Sequence, residues 1–516
     1  MRKYFVFTIA FIIIVLSACA PSGTEIIIPT LTLNVDVEVS NPTSTPDADA
    51  QEIIDILQTA REPTRTFTPI PSITPTLQST VFPTMELPDV ELSESGPWLI
   101  VSSDSLLYAF NTDGSGKKII IDMPIQSYAL SPSGGNIAYI TDIDPESSTY
   151  GLQLRIINIP NGQDQLITNL QDPSFVQPED IDGFDSLFEA MRAITMSWPR
   201  WSHNGKFLAF IGQTLGPTAD LYVYDVDLDV ITQLTDGPSQ AYRPSWSPND
   251  LKIFHSGAWS FGTGAGYSDA GSWVVSRDGN ELTETTTGMG SDQLILWQNS
   301  DRFIIGTWSQ PFGMGFLKSY RISTGEAVDI WPYCLNDLAY DSTTGKIAIS
   351  VSNDLESCLP EDKPAGLYII DEFGAEPRLV PDIEVERVSV DPSHQGSFLL
   401  SGYQGTYRLY PDNFIELIQD APGNFWDYSK QADLWLWYGS YDDSAGLWIG
   451  DYSEEPRQLI DHQIADAIWS LYGNAIFFIS EVDGFLYVAR SPEFNPVIIY
   501  SDTHFDERSY IYWIEQ

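Results

Sequence analysis

The chain predicts an all-β fold, a single β-propeller of four-stranded blades, on three observations. One unit recurs nine times between Leu130 and Trp513: a small or aromatic residue, a turn, an apolar strand, a gap, a second strand ending near Asp, then Leu-Thr or Leu-Ile. Its anchors are Leu130, Trp201, Trp246, Trp297, Tyr340, Val390, Tyr428, Trp469 and Trp513, which stand 38 to 51 residues apart after a first gap of 71. A four-stranded blade needs about 40 to 50 residues, so the period points to radial blades. Finally, the two ends carry complementary fragments of the same unit. Nine blades exceed the usual range of about four to eight. Absorption of a weak repeat, at Leu130 or Val390, leaves eight as the other expectation.

Residues 1–19 read as an export signal. A basic start, Arg2-Lys3, precedes an apolar run from Tyr4 to Leu16, too short to span a bilayer comfortably, and then Leu16-Ser17-Ala18-Cys19. This ending resembles the lipobox of bacterial lipoproteins, which implies lipidation at Cys19 and an extracytoplasmic protein tied to the cell membrane by that anchor alone. An ordinary secretion signal with an incidental Cys19 is the other reading; both export the mature chain. Residues 20–97 are rich in Pro, Thr and Ser, as in Thr64 to Thr76, and cannot bury enough apolar surface to fold. They predict a disordered spacer rising about 3 Å per residue where polyproline-like.

Residues 98–516 hold the ring. Trp98 to Val101, Leu106 to Phe110 and Ile119 to Ile121 read as second, third and fourth strands without a first, while Tyr510 to Ile514 reads as a first strand without followers. Pairing the N-terminal and C-terminal strands closes the ring and removes its exposed edges. The fullest repeat, Pro199-Arg200-Trp201-Ser202-His203-Asn204-Gly205-Lys206, is echoed by Trp246-Ser247-Pro248-Asn249-Asp250 and Leu130-Ser131-Pro132-Ser133-Gly134. These resemble the Trp-Ser-Pro-Asp-Gly repeat of TolB-like and WD-type propellers, which also occurs in the propeller domains of prolyl-oligopeptidase-type peptidases. The resemblance implies a tight turn at Ser-Pro and a Trp packed between blades. Here His203 stands for the Pro and Asp250 for the Gly.

Cys334 precedes the inner strand of one repeat, and Cys358 lies between the second and third strands of the same repeat, so both fall on one face and predict a disulfide in an oxidising compartment. The long excursions are Asp142 to Gly151, Gln171 to Ser197, Gly257 to Gly271, Trp308 to Gly315 and Ser352 to Gly366. All join strands two and three or successive blades, connections that share a face, which is where binding loops are free to vary. On them Trp259, Phe261 and Tyr267, with Trp308, Phe312, Met314 and Phe316 from the next blade, are the candidate ligand-binding side chains. Their flat apolar faces suit sugars or peptides. Phe184, Leu187, Phe188, Met191 and Ile194 share one face of a short predicted helix, either a lid or a filler between blades.

Chemistry-bearing patterns are sparse. There is no Gly-x-Ser-x-Gly, the five histidines lack metal-ligand spacing, and the start of a calcium-type loop at Asp225-Val226-Asp227-Leu228-Asp229 has Val230 where Gly is due. No cofactor is implied, although Asp142, Asp144 and Glu146 are calcium candidates on the long-loop face. With 71 acidic and 25 basic residues, a formal charge of −46, and no basic run beyond Lys117-Lys118, nucleic acid is excluded as a partner. The sequence therefore predicts a non-catalytic binding scaffold for a protein, peptide or glycan, of open oligomeric state. Its rivals are a glycosidase or lyase using acidic residues at the channel mouth, and a structural spacer without a ligand.

Overall fold

The computed structural model describes residues 91–516 apart from 104–105, 133–134, 143–151, 171–198, 215–217, 261–266, 286–290, 310–312, 373–374, 382, 403–404, 420–423, 440–444, 452–455, 502–504, 506–508 and 515–516. The signal, Cys19, most of the spacer and the predicted helix around Phe184 to Ile194 lie outside the described residues. Within them, thirty-six strands form nine four-stranded antiparallel sheets. We number the blades by their first strands: Ile125–Leu130 (blade 1), Arg200–Trp201 (2), Gln240–Trp246 (3), Ser291–Asn299 (4), Asp337–Tyr340 (5), Arg387–Val390 (6), Asn424–Ser429 (7), Ile464–Trp469 (8) and Tyr510–Ile514 (9). Each contains one of the nine anchors, so no repeat is absorbed and the ring has nine blades.

Blade 9 is the composite one. Its first strand pairs with Trp98–Ser103 in the register Trp98↔Ile514, Leu99↔Trp513, Ile100↔Tyr512, Val101↔Ile511 and Ser102↔Tyr510, followed by Leu106–Phe110 and Lys118–Ile121. The chain's ends thus share one sheet, as complementary fragments require.

The core is divided among the joints. Nine apolar clusters form, each spanning two neighbouring blades: Trp201, Leu208 and Phe210 of blade 2 with Ile140 and Leu154 of blade 1, or Phe477 and Val488 of blade 8 with Leu99 and Tyr108 of blade 9. A second strand is therefore buried on both faces, which is why Ala475–Ser480 (AIFFIS) reads as an unbroken apolar run instead of an alternation. At several joints the anchor Trp adds a hydrogen bond. Trp201 Nε1–H donates to Ala129 O at 3.0 Å, Trp246 to Arg200 O at 2.8 Å, and Trp513 to Trp469 O at 2.7 Å.

The two departures from the repeat touch each other. Asp250 sits at φ 58° where the repeat has Gly, a left-handed conformation that Asp tolerates better than most residues. Its carboxylate reaches the turn of the previous blade, accepting from His203 N–H at 2.7 Å and Asn204 N–H at 3.0 Å, with His203 Nδ1 at 2.8 Å. A Pro at 203 would have no N–H to donate, so the substitutions work as a pair.

Two expectations are corrected. Cys334 does form a disulfide with Cys358, with a Cα–Cα distance of 5.9 Å. However, it ends the fourth strand of blade 4, Glu326–Cys334, whereas Cys358 ends a 3-10 helix, Asn353–Cys358, in blade 5. The bond therefore staples two blades across a joint. The 24-residue separation contributes about 3 kcal/mol on the chain-entropy model. Second, Gly257 to Gly271 and Trp308 to Gly315 are not loops for most of their length. They continue the hairpins Lys252–Ser260 with Tyr267–Ser276 and Arg302–Ser309 with Gly313–Arg321; residues 261–266 and 310–312 lie outside the described residues. The glycines misread as loop formers make room in the sheet: a Cβ on Gly257 would lie 2.3 Å from the Trp273 ring.

Candidate ligand-binding channel

In every blade, strand two and strand four run in the same direction, so the connections leaving them emerge on one face, and the first strands of blades 1, 2 and 3, of blades 5 and 6, and of blades 7, 8 and 9 lie against each other. A first strand has a partner on one side only. Its other edge faces the channel and needs acceptors and donors from elsewhere.

Two adjoining cavities run along these edges. The first, of about 820 Å³, is lined by blades 9, 1 and 2, and the second, of about 870 Å³, by blades 2, 3 and 4. Both lie within the usual range for small-ligand sites, about 300 to 1,000 Å³. Arg200 and His203 line both and mark where they meet. The first cavity reaches from Pro132 and His203, in turns between first and second strands, to Ser103 and Pro199 at the opposite, long-loop end. It therefore follows the whole length of the inner strands.

Its apolar wall is aromatic. Tyr128 meets Tyr512 edge-on with ring centroids 6.2 Å apart, and Tyr510 and Tyr512 stay accessible at 46% and 37% exposure. Burial pushes the Tyr128 and Tyr512 hydroxyls above the ordinary tyrosine value, so they are neutral hydrogen-bonding groups at physiological pH. The second cavity carries Arg200 and Arg243 beside Trp246, Trp297 and Gln293. Arg200 is solvent-accessible yet enclosed by the channel walls, and that enclosure draws its pKa down from the usual arginine value.

On the other side of the ring the inner strands present carboxylates. Asp337, Asp427 and Asp466 share one geometry: one oxygen accepts the N–H of the following residue and the other accepts an N–H from the next blade. These partners are Leu338 (2.9 Å) and Val388 (3.1 Å), Tyr428 (2.8 Å) and Trp469 (3.5 Å), and Ala467 (2.9 Å) and Ile511 (2.7 Å) respectively. Burial raises the pKa of all three, to about 6 for Asp466, despite these hydrogen bonds.

Of the residues selected from sequence, Trp259 lies near the far end of the blade 3 hairpin and is exposed, with Trp259 opposite Ser268 and Ser260 opposite Tyr267. In blade 4, Trp308 pairs with Met314, and Phe316 occupies a bulge at φ 52°. Phe261 and Phe312 lie outside the described residues, as do Asp144 and Glu146. Asp142 is buried at the end of its strand. Among the described residues no group of three His, Cys, Asp or Glu converges as a metal site. At Asp225 to Asp229 the carboxylates serve the turn, Asp225 accepting Leu228 N–H and Asp229 accepting the Tyr224 hydroxyl.

The channel residues were missed in the sequence, although a signal existed. Arg243, Asp337, Arg387, Asp466 and Tyr510 each stand three residues before an anchor, and Arg200, Asp427 and Tyr512 one before. On a strand these positions share a face.

No family model matches the chain. An uncharacterized peptidase, YuxL of Bacillus subtilis (strain 168), is 40% identical over 55 residues, covering 11% of this chain and 8% of that peptidase, so the chain spans under a tenth of its curated relative. A crystal structure of a eukaryotic initiation factor is similar at 12% identity and a TM-score of 0.50, over 81% of this chain and 98% of that one. TolB from Acinetobacter baumannii is similar at 14% identity and a TM-score of 0.29, over 54% of this chain and 62% of that one. The likeness to the initiation factor is one of fold: this chain is a β-propeller.

Proposed function

We propose that the chain is an exported, lipid-anchored propeller whose central channel is a non-catalytic binding site for part of a protein, peptide or glycan. The observation that carries the reading is the division of the channel wall. Its aromatic and arginine side opens into two cavities of ligand size, while its carboxylates are held by backbone N–H groups of the blade joints. The Cys334–Cys358 disulfide is consistent with an oxidising, extracytoplasmic compartment, and the leader ending at Cys19 supports an anchor there.

Affinity capture from envelope extracts tests the site. The full chain is compared with a Tyr510→Ala/Tyr512→Ala variant and with Trp259→Ala; loss of a partner by at least about tenfold in the channel variant, with retention in the other, is expected, since buried aromatic anchors dominate such contacts. Equal recovery by all three proteins removes the channel from the account. Labelling with a lipid precursor is expected to mark the chain and spare Cys19→Ser.

One observation favours a second reading. Asp466, held up at about 6 in the vicinity of Asp427, has the protonation behaviour of a general acid in a glycan-cleaving site. Release of reducing ends from a polysaccharide panel, abolished by Asp466→Asn, supports that reading; its absence across the panel leaves the two carboxylates as joint acceptors.

A further inference from the structure

Resting on the channel reading, we infer that the arc formed by blades 2 and 3 is an anion site, taking a ligand with one carboxylate, phosphate or sulfonate group on an aromatic or apolar body. Arg200 and Arg243 line the same cavity, and the cavity that shares Arg200 and His203 supplies the tyrosine wall for the rest of the ligand. On a protein of charge −46 an anion is repelled in general, so its binding needs a local cationic site.

The backbone around these arginines is held in place. Arg200 follows Pro199, and its carbonyl accepts the Trp246 indole N–H. Arg243 lies mid-strand at φ 54°, a left-handed conformation rare for a side-chain-bearing residue outside turns, in a bulge between Tyr242↔Ser256 and Ser245↔Phe254 and directly before Pro244. The bulge breaks the ladder and frees Arg243 from the strand's alternation, presenting a guanidinium to the channel. Such a planar fork of donors matches an oxyanion in two-point contact. Asp337, Asp427 and Asp466 on the remaining arc disfavour an anion there, Arg387 being set beside Asp337, whereas Arg200 and Arg243 stand together on blades 2 and 3.

The test is fluorescence titration of the intact chain with anilinonaphthalenesulfonate and with phenylnaphthylamine, the same ring system without the sulfonate. The sulfonate is expected to bind about tenfold tighter, and Arg243→Gln and Arg200→Gln are each expected to weaken it by about tenfold while leaving the neutral dye within about twofold. Arg243→Lys keeps the charge and is expected to lose less. Independently of any variant, raising salt is expected to weaken only the sulfonate. Competition by benzoate and by phenyl phosphate then separates a carboxylate ligand from a phosphate one. Equal affinity for the two dyes, or indifference of the sulfonate to both salt and arginine, overturns the anion site; if Tyr512→Ala still weakens both dyes, the channel reading stands. Binding of neither dye, or binding indifferent to Tyr512→Ala, removes both.

Discussion

Two arcs of one channel wall solve the same problem with opposite chemistry. From blade 1 to blade 3, a Trp indole donates to a carbonyl of the previous blade. From blade 5 to blade 9, three of the joints use a carboxylate that accepts an N–H of the next blade, and at two of them an indole bond stands beside it, Trp426 to Ala467 O and Trp513 to Trp469 O. Both satisfy the free edge of an innermost strand. The consequence for function is a polarised channel, because the carboxylate joints place acidic groups on one side and leave the other to Arg200, Arg243 and the tyrosines. The tryptophans are not uniform either, since the buried indole N–H groups of Trp297 and Trp469 have no partner among the described residues.

The largest expected effect falls on the Trp joints. Trp246, 4% exposed in the cluster between blades 2 and 3, should cost about 3 to 5 kcal/mol on truncation to Ala in denaturant unfolding. Trp246→Phe should cost far less, since it gives up mainly the bond to Arg200 O. Equal losses would mean that the hydrogen bond, not the packing, closes that joint.

Acid separates the arcs next. His255 in blade 3 is stacked on Trp273 at 5.5 Å and held neutral by burial, with its pKa lowered to about 4. Its contribution is complete above the unfolded value near 6.5 and is lost as pH falls through about 4, a loss of about 3 kcal/mol. Asp466 has the opposite sign: its raised pKa makes its contribution complete below about 3.9 and lost as pH rises through about 6. Unfolding free energies between pH 4 and 7 are therefore expected to slope upward more steeply for Asp466→Asn than for the parent, and less steeply for His255→Phe. Parallel slopes for all three proteins would contradict the assignment.

Smaller effects probe the carboxylate joints themselves. Asp466→Ala leaves Ile511 N–H without its acceptor at the joint that closes the ring, an expected cost of about 1 to 3 kcal/mol. Asp250→Ala is expected to cost about 1 kcal/mol through His203 and Asn204. Asp250→Gly should cost less, because Gly relieves the φ of 58° while losing the same bonds. A larger cost for Gly than for Ala would show that backbone strain plays no part there.

The legible part of the fold was local. Trp201-Ser202 and Trp246-Ser247-Pro248 announce a turn after a strand, and apolar runs such as Ala475–Ser480 announce a strand covered on both faces. Gly257 misled because a glycine beneath the Trp273 ring and a glycine in a loop look alike in sequence. Cys334 was placed on the right face and in the wrong blade, since the fourth strand of blade 4 runs to the residue where the next repeat was expected to begin. His203 and Asp250 were visible as departures, but their partnership depends on two turns that meet only in space.

What the sequence alone determined is the unit, its recurrence as eight or nine blades and the complementary ends, because strand periodicity, turn chemistry and the length of a blade act over tens of residues. Tertiary structure decided which side chains face one another across the joints and which meet in the channel. Arg200, Tyr128 and Tyr512 line one cavity although most of the chain separates the first two from the third, and no short-range pattern encodes an encounter created by closing a ring.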